Sequence, residues 1–217
     1  LFLRIDFNMG INKAKENQKE KVAFGILFAL SLAHCTNDTL QSVIMAVYPL
    51  VKEELMLDFT QVGLITMVYQ ISASVFQPIV GLVMDRHQKP WTLPLGMTFT
   101  FGGLLMLAWV HHFWMILASV AMIGIGSSIF HPEASRLTSL ASGGKRGLAQ
   151  SLFQVGGNLG GSFGPLMTAL IIAPYGRSNV SLVAIGALFG ILVMIPICRW
   201  YASRIKEWDE RKKMNRN

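Results

Sequence analysis

Ionisable and amide side chains recur in this chain at three- and four-residue intervals, inside stretches that are otherwise apolar. His34, Asp38 and Gln41 share one helical face with Asn37 beside them, and Gln70, Ser74 and Gln77 repeat the spacing. Gln150, Gln154 and Asn158 do the same, and His131, Glu133 and Arg136 make a fourth group. A carboxyl beside an imidazole is a pair that takes up and releases protons, and a row of amides offers donors and acceptors to a polar solute.

The elements that position these groups follow from the charge distribution. Only 13 of the 177 residues from Val22 to Cys198 are charged, and they fall in clusters. A helix needs roughly 20 mostly apolar residues to cross about 30 Å of hydrocarbon. The uncharged windows give six crossings, near 22–48, 60–84, 92–110, 114–139, 148–173 and 179–198, with the long third window folding back at His111 and His112. The expected class is therefore an all-α integral membrane bundle whose partner is the lipid bilayer. Residues 1–21 form a polar lead, 22–198 the six-helix unit and 199–217 a basic tail.

Lys and Arg are retained on the cytoplasmic side during insertion. Seventeen of the 19 fall on the lead, the 85–91 and 136–147 turns and the tail, and only Lys52 and Arg177 fall on the opposite turns. Both termini are thus expected in the cytoplasm, as an even number of crossings requires. The net charge of +7 is a topology signal. Nucleic acid binding is not expected, because the basic residues lie in separate loops instead of on one face. Trp91, Trp109, Trp114 and Trp200 all fall at span ends, where an amphipathic ring is most comfortable. Cys35 and Cys198 lie at different depths, so no disulfide between them is expected.

An acid at the bilayer centre costs on the order of 3 kcal/mol on insertion scales, so Asp38, near mid-span, calls for compensation. It is either a proton-exchanging carboxyl or a structural one satisfied by His34. Glu133 stands three residues before Arg136, so a helical ion pair competes with a proton-coupling role. Pro132 removes a backbone bond to the Ser128 carbonyl and is expected to bend or unwind the fourth span. His131 is a candidate for anion binding, for proton relay or for a plain hydrogen bond. Catalysis by His34-x-x-x-Asp38 or His131-Pro132-Glu133 would need a third ligand or a nucleophile, and the sequence offers neither nearby. No enzyme, metal or cofactor is expected.

Spans 1, 2, 4 and 5 carry the polar faces, which places them around a polar cavity with spans 3 and 6 outside against lipid. Gly156, Gly160 and Gly164, followed by Pro165, form a row that lets two helix backbones approach closely.

At the inner end of span 2, Gly81 is followed by Asp85, Arg86 and Lys89, which resembles the loop signature of the major facilitator superfamily. Gln88 and Pro90 depart from it. Gly160-x-x-x-Gly164-Pro165 resembles that superfamily's drug/proton antiporter motif, with Thr168 and Ala169 in place of later glycines. Val120 and Ile123 stand where many of its antiporters carry Arg and Gln in span 4. The strings Ser31-Leu32-Ala33-His34, Phe130-His131-Pro132-Glu133 and Phe153-Gln154-Val155-Gly156-Gly157-Asn158 resemble the fosmidomycin-resistance group of bacterial efflux transporters within it.

That resemblance implies the N-terminal half of a two-half fold, built from two inverted three-helix repeats, with a C-terminal six-helix half missing and 199–217 opening the cytoplasmic linker. It implies proton-coupled efflux of small anionic compounds, such as phosphonates, across the bacterial inner membrane. Protons would be handled by Asp38, Glu133, His131 and His34, and substrate by Asn37, Gln41, Gln70, Gln77, Arg136, Gln154 and Asn158. An uptake permease for a phosphorylated or carboxylated metabolite, and an inactive truncated fragment, are the competing expectations.

Overall fold

In the computed structural model, which describes residues 21–86 and 89–214, the chain folds into helices with no strand among the described residues. Six antiparallel helices result. α1 is Phe24–Glu54; α2 covers 59–86 through Phe59–Gln70, a wide π-helical turn at Ile71–Val75 and Phe76–Arg86; α3 is Thr92–Ala108. α4 is Phe113–Ala141; α5 covers 146–175 through Arg146–Met167, a second π-helical turn at Thr168–Ile172 and Ala173–Tyr175; α6 is Val180–Met214. Four of these stretches are long and apolar enough to cross a membrane, and Thr92–Ala108 is a shorter apolar helix. At 31 residues α1 is about 46 Å long, ample for a crossing, but His34, Asn37, Asp38 and Gln41 lower its mean hydropathy. α6 runs on without a break from the last crossing into the basic tail as far as Met214.

Local chemistry sets the joints. Asp58 starts α2 with a capping box: the Gln61 backbone N–H donates to Asp58 Oδ1 at 2.7 Å, and the Asp58 N–H donates to Gln61 Oε1 at 3.0 Å. Gly176, at φ +90°, separates α5 from α6, a backbone state that a side chain would strain. The expected turn at His111 and His112 is present between α3 and α4.

The proline effect falls elsewhere than expected. α4 is continuous through Pro132. Its neighbours clamp it just before that point: a Cβ at Gly124 would strike the Tyr69 carbonyl and the Ala73 nitrogen of α2, and one at Gly126 would strike Gly96 and Thr100 of α3. The two π-helical turns instead contain Ser74 and Leu170, four residues before Pro78 and Pro174. Each of those prolines lacks the N–H that would bond the carbonyl one turn back, and the helix widens there.

In the packing, α5 lies along α1, α4 along α3, α6 against both α1 and α3, and α2 on α4. The expectation that span 3 faces lipid is therefore corrected. α3 is packed between α4 and α6, burying Leu93, Gly96, Met97, Thr100, Gly103 and Leu104. Its glycines let α4 approach closely, a signal that polarity alone does not carry. α6 does present an apolar face outward through Leu182, Ile185, Phe189 and Leu192. Open apolar stripes lie also on α2 (Met67, Ile71, Val75, Ile79) and α5 (Leu152, Val155, Leu159, Phe163).

Candidate functional site

Near the middle of α1, Asp38 lies between two imidazoles. His34 Nε2 is 3.2 Å from Asp38 Oδ2, and His131 Nε2, from α4, is 3.6 Å from Oδ1. The His34 side chain is 4 % exposed, while Asp38 and His131 are 24 % and 26 % exposed, so the cluster is closed on the His34 side and open on the other. Asn37 Nδ2 donates to Asp38 Oδ1 at 3.1 Å.

The protonation pattern follows from hydrogen-bond accounting. His34 Nδ1 stands 2.8 Å from the carbonyl oxygen of Phe153 on α5, an acceptor with no proton, so Nδ1 must be the N–H donor. In a neutral ring Nε2 is then a bare acceptor, and it faces a carboxyl oxygen at hydrogen-bonding distance. A proton placed between these two acceptors completes a hydrogen bond, as imidazolium with carboxylate or as neutral imidazole with carboxylic acid, so the geometry lets the pair hold one proton in common.

Helix packing makes this geometry. The Phe153 ring stacks on His34 at 3.9 Å between centroids and 17° between planes, and His131 meets His34 edge-on at 5.3 Å. Gly156, Gly160 and Gly164 bring the α5 backbone onto α1: added Cβ atoms would strike the Ser31 carbonyl, the Cys35 carbonyl and the Ser42 hydroxyl. Pro165 sits within α5.

A second knot lies one turn along. Gln41 Oε1 accepts from Tyr69 of α2 at 2.9 Å and from Ser127 of α4 at 3.0 Å, tying three helices together. Its Nε2 and the Asn37 Oδ1 are buried with no hydrogen-bond partner among the described residues.

Glu133 belongs to a different cluster. Arg136 grips it with both branches of the guanidinium, at 3.0 and 2.7 Å, and donates again to the Tyr201 hydroxyl of α6 at 2.6 Å while lying over that ring. Beside it, Gly81, Met84, Pro132, Ser135 and Ser139 complete a cleft of about 300 Å³ at the end of the bundle where α2 ends.

The remaining expected residues stand apart from Asp38 in this conformation. Gln70 is exposed and Gln77 half-buried on α2, and Gln154, exposed on α5, donates to Asn158 Oδ1 at 3.4 Å. Lys89 lies over the Trp91 ring, whereas the side chains of Asp85 and Arg86 lie outside the described residues.

Sequence reasoning missed several partners. The Phe153 carbonyl carries no sequence identity, and neither Tyr69 nor Tyr201 is among the expected site residues. It also found no third group beside His34 and Asp38, yet folding brings His131 to them. The three donor atoms lie within 4.8 Å of one another, close enough to share one small cation.

At the opposite end of the bundle, Arg177 is buried and donates to Glu54 at 2.7 and 2.8 Å and to the carbonyls of Leu107 and Ala108 at 2.8 and 3.4 Å. It caps the C-terminus of α3 and ties it to α1. The signal was its place on the side that the charge rule keeps poor in Arg. These hydrogen bonds, ahead of the attraction of Arg177 and His111, hold the Glu54 carboxyl below the usual carboxylate range against a smaller opposing effect of burial.

A model of the Major Facilitator Superfamily matches residues 30–216. The chain is 50% identical over 191 residues to the fosmidomycin resistance protein of Escherichia coli (strain K12), a match covering 88% of this chain and 47% of that protein. It is 42% identical over 194 residues to the uncharacterized MFS-type transporter YfnC of Bacillus subtilis (strain 168), covering 89% of this chain and 47% of the relative. The chain thus spans about half the length of the curated relatives it matches. Among solved structures, a point mutant of the peptide transporter POT gives a TM-score of 0.69 at 21% identity, over 82% of this chain and 41% of that one. Tetrameric PepTSo2 gives 0.69 at 20% identity, over 85% and 42%. At such identities the likeness speaks for the fold alone.

Proposed function

The chain belongs to the major facilitator superfamily, whose matched relatives are transporters and not enzymes, and we propose that it is the first half of a protein that exports small anionic compounds in exchange for protons. The membrane is the bacterial inner membrane, with both ends of this half in the cytoplasm. Arg177, one of the two exceptions to the charge rule, supports that orientation, since its charge is matched by Glu54.

One observation carries the proton role: a carboxyl at mid-helix between two imidazoles, 3.2 Å from one of them and open on the other side. Protonation of this cluster favours one orientation of the two halves and substrate favours the other, and coupling requires that difference in affinity between states. The relative named for fosmidomycin resistance supports a phosphonate as cargo. Asn37, Gln41, Gln154 and Asn158 would offer amide groups, with Gln70 and Gln77 across from them and His131 as the cationic contact. Arg136 reaches an anion only in a state in which it gives up Glu133, and Glu133 then needs a proton of its own.

A second reading has its own support. Each proton added to this cluster makes it more positive, so charge alone favours proton and anion binding together, as in uptake of a phosphorylated or carboxylated metabolite. Export by exchange must overcome this through conformation. Everted membrane vesicles holding the full-length protein separate the two. An imposed proton gradient, acid inside, should drive fosmidomycin inward into everted vesicles; movement of anion out of them together with protons would establish the second reading.

A further inference from the structure

The Phe153–Gly157 turn of α5 meets the proton-binding pair in three ways at once, and none of them involves an ionisable side chain. Its Phe153 carbonyl accepts a hydrogen bond from His34 Nδ1 at 2.8 Å, its Phe153 ring stacks on the imidazole, and Gly157 leaves open space that the imidazole occupies. A Cβ at 157 would strike His34 Cε1, come within 2.6 Å of Nε2 and within 2.9 Å of Asp38 Oδ2. Gly157 therefore covers the His34–Asp38 contact itself, on the side where solvent is excluded. Neighbouring Gly161, by contrast, faces open space.

We propose that this turn is the positioning element for proton binding, locking His34 in the tautomer whose Nε2 faces Asp38, so that the two residues bind one proton as a unit and α5 senses its arrival. The inference rests on the proton role of Asp38 set out above. Without the lock, the ring could turn Nδ1–H or Nε2–H toward Asp38, and each residue would titrate on its own. With it, a proton added to the pair strengthens the bond to the Phe153 carbonyl, because an imidazolium is the stronger donor. Proton state is thereby passed to the backbone of α5 without a charged residue on that helix.

The groups that face the pair are few. His34 and Cys35 lie on α1 itself, Tyr69 reaches from α2 and His131 from α4. α5 contributes Phe153, Gly157 and Gly160, while α6 packs on the other face of α1 through Gly186 and Gly190 against Leu40 and Thr36.

The test compares Gly157→Ala and Phe153→Leu with Gly161→Ala as control, in the full-length protein reconstituted in lipid. Two readouts are taken: the His34 tautomer from nitrogen-15 NMR shifts, and the pH profile of proton-driven transport. Wild type and Gly161→Ala should show a single Nδ1–H tautomer at neutral pH and one common profile. Gly157→Ala should give mixed tautomers and move the profile to lower pH by about one unit, the size expected for losing one hydrogen bond to a charged group. Phe153→Leu keeps the carbonyl and should move it less, and this variant decides the matter if Gly157→Ala does not accumulate in the membrane. A reduced rate with tautomer and profile unchanged in both variants would overturn the inference. Coupling that survives Asp38→Asn would instead overturn the proton reading beneath it.

Discussion

The two carboxylates inside the bundle, Asp38 on α1 and Glu133 on α4, keep different company. Both oxygens of Glu133 are taken by Arg136, whose guanidinium does not give up its proton, and Tyr201 takes part of the remaining donor capacity. Asp38 has two imidazoles for partners, one close and one at 3.6 Å, and imidazole is the side chain whose ordinary charge change falls near neutral pH. A carboxylate matched to arginine is finished as a structural unit that holds α4 to α6. One matched to histidines leaves room for a proton to come and go. The depth of an acid in the membrane does not by itself separate these cases; the chemistry of its partner does.

The contrast makes the two sites respond differently to the same kind of substitution. Asp38→Asn keeps the shape and removes the exchangeable carboxyl, so drug resistance conferred by the full-length protein should fall more than tenfold while the protein still inserts; unchanged resistance in cells would remove Asp38 from the mechanism. Glu133→Gln should act mainly on stability, lowering the unfolding free energy by about 2 kcal/mol, because Arg136 is left with an uncompensated charge in a half-buried place. The double variant Glu133→Gln/Arg136→Met should recover much of that loss in a thermal melt, and a double variant less stable than the single one would show that the pair is more than mutual neutralisation.

The smallest effect belongs to the clamp at the far end. Arg177 holds the folded-state value of Glu54 below its unfolded value, so the clamp contributes in full above the unfolded value and is lost as pH falls through the folded one, below the ordinary carboxylate range. Since the Glu54 side chain is half exposed, the contribution should stay under about 1 kcal/mol. Melting curves of wild type and Glu54→Gln should therefore converge as the pH drops, and a constant gap would assign the difference to something other than this charge.

Much of the molecule was legible in the sequence because lipid imposes length and charge rules. The six spans, the fold-back at His111 and His112 and the polar face of α1 follow from counting alone. The placement of α3 did not, since its contacts with α4 are made by Gly96, Gly103 and Gly126, which look the same in sequence whether they pack or face lipid. The proline effect moved because a missing N–H matters less where neighbours clamp the helix, as at Pro132, than at Pro78 and Pro174. At the site, Asp38 and His34 were visible as neighbours on one face. The geometry that lets them share a proton became visible only with the Phe153 carbonyl, since a backbone acceptor leaves no trace in residue identity.

The most direct test follows protons and drug together. Full-length protein in proteoliposomes, with a pH-sensitive dye inside, should release protons when fosmidomycin is added at a pH where the His34–Asp38 pair is loaded, and Asp38→Asn should bind the drug with no proton released. Proton uptake on drug binding, or equal release from Asp38→Asn, would contradict the exchange of a proton at this carboxyl for the cargo.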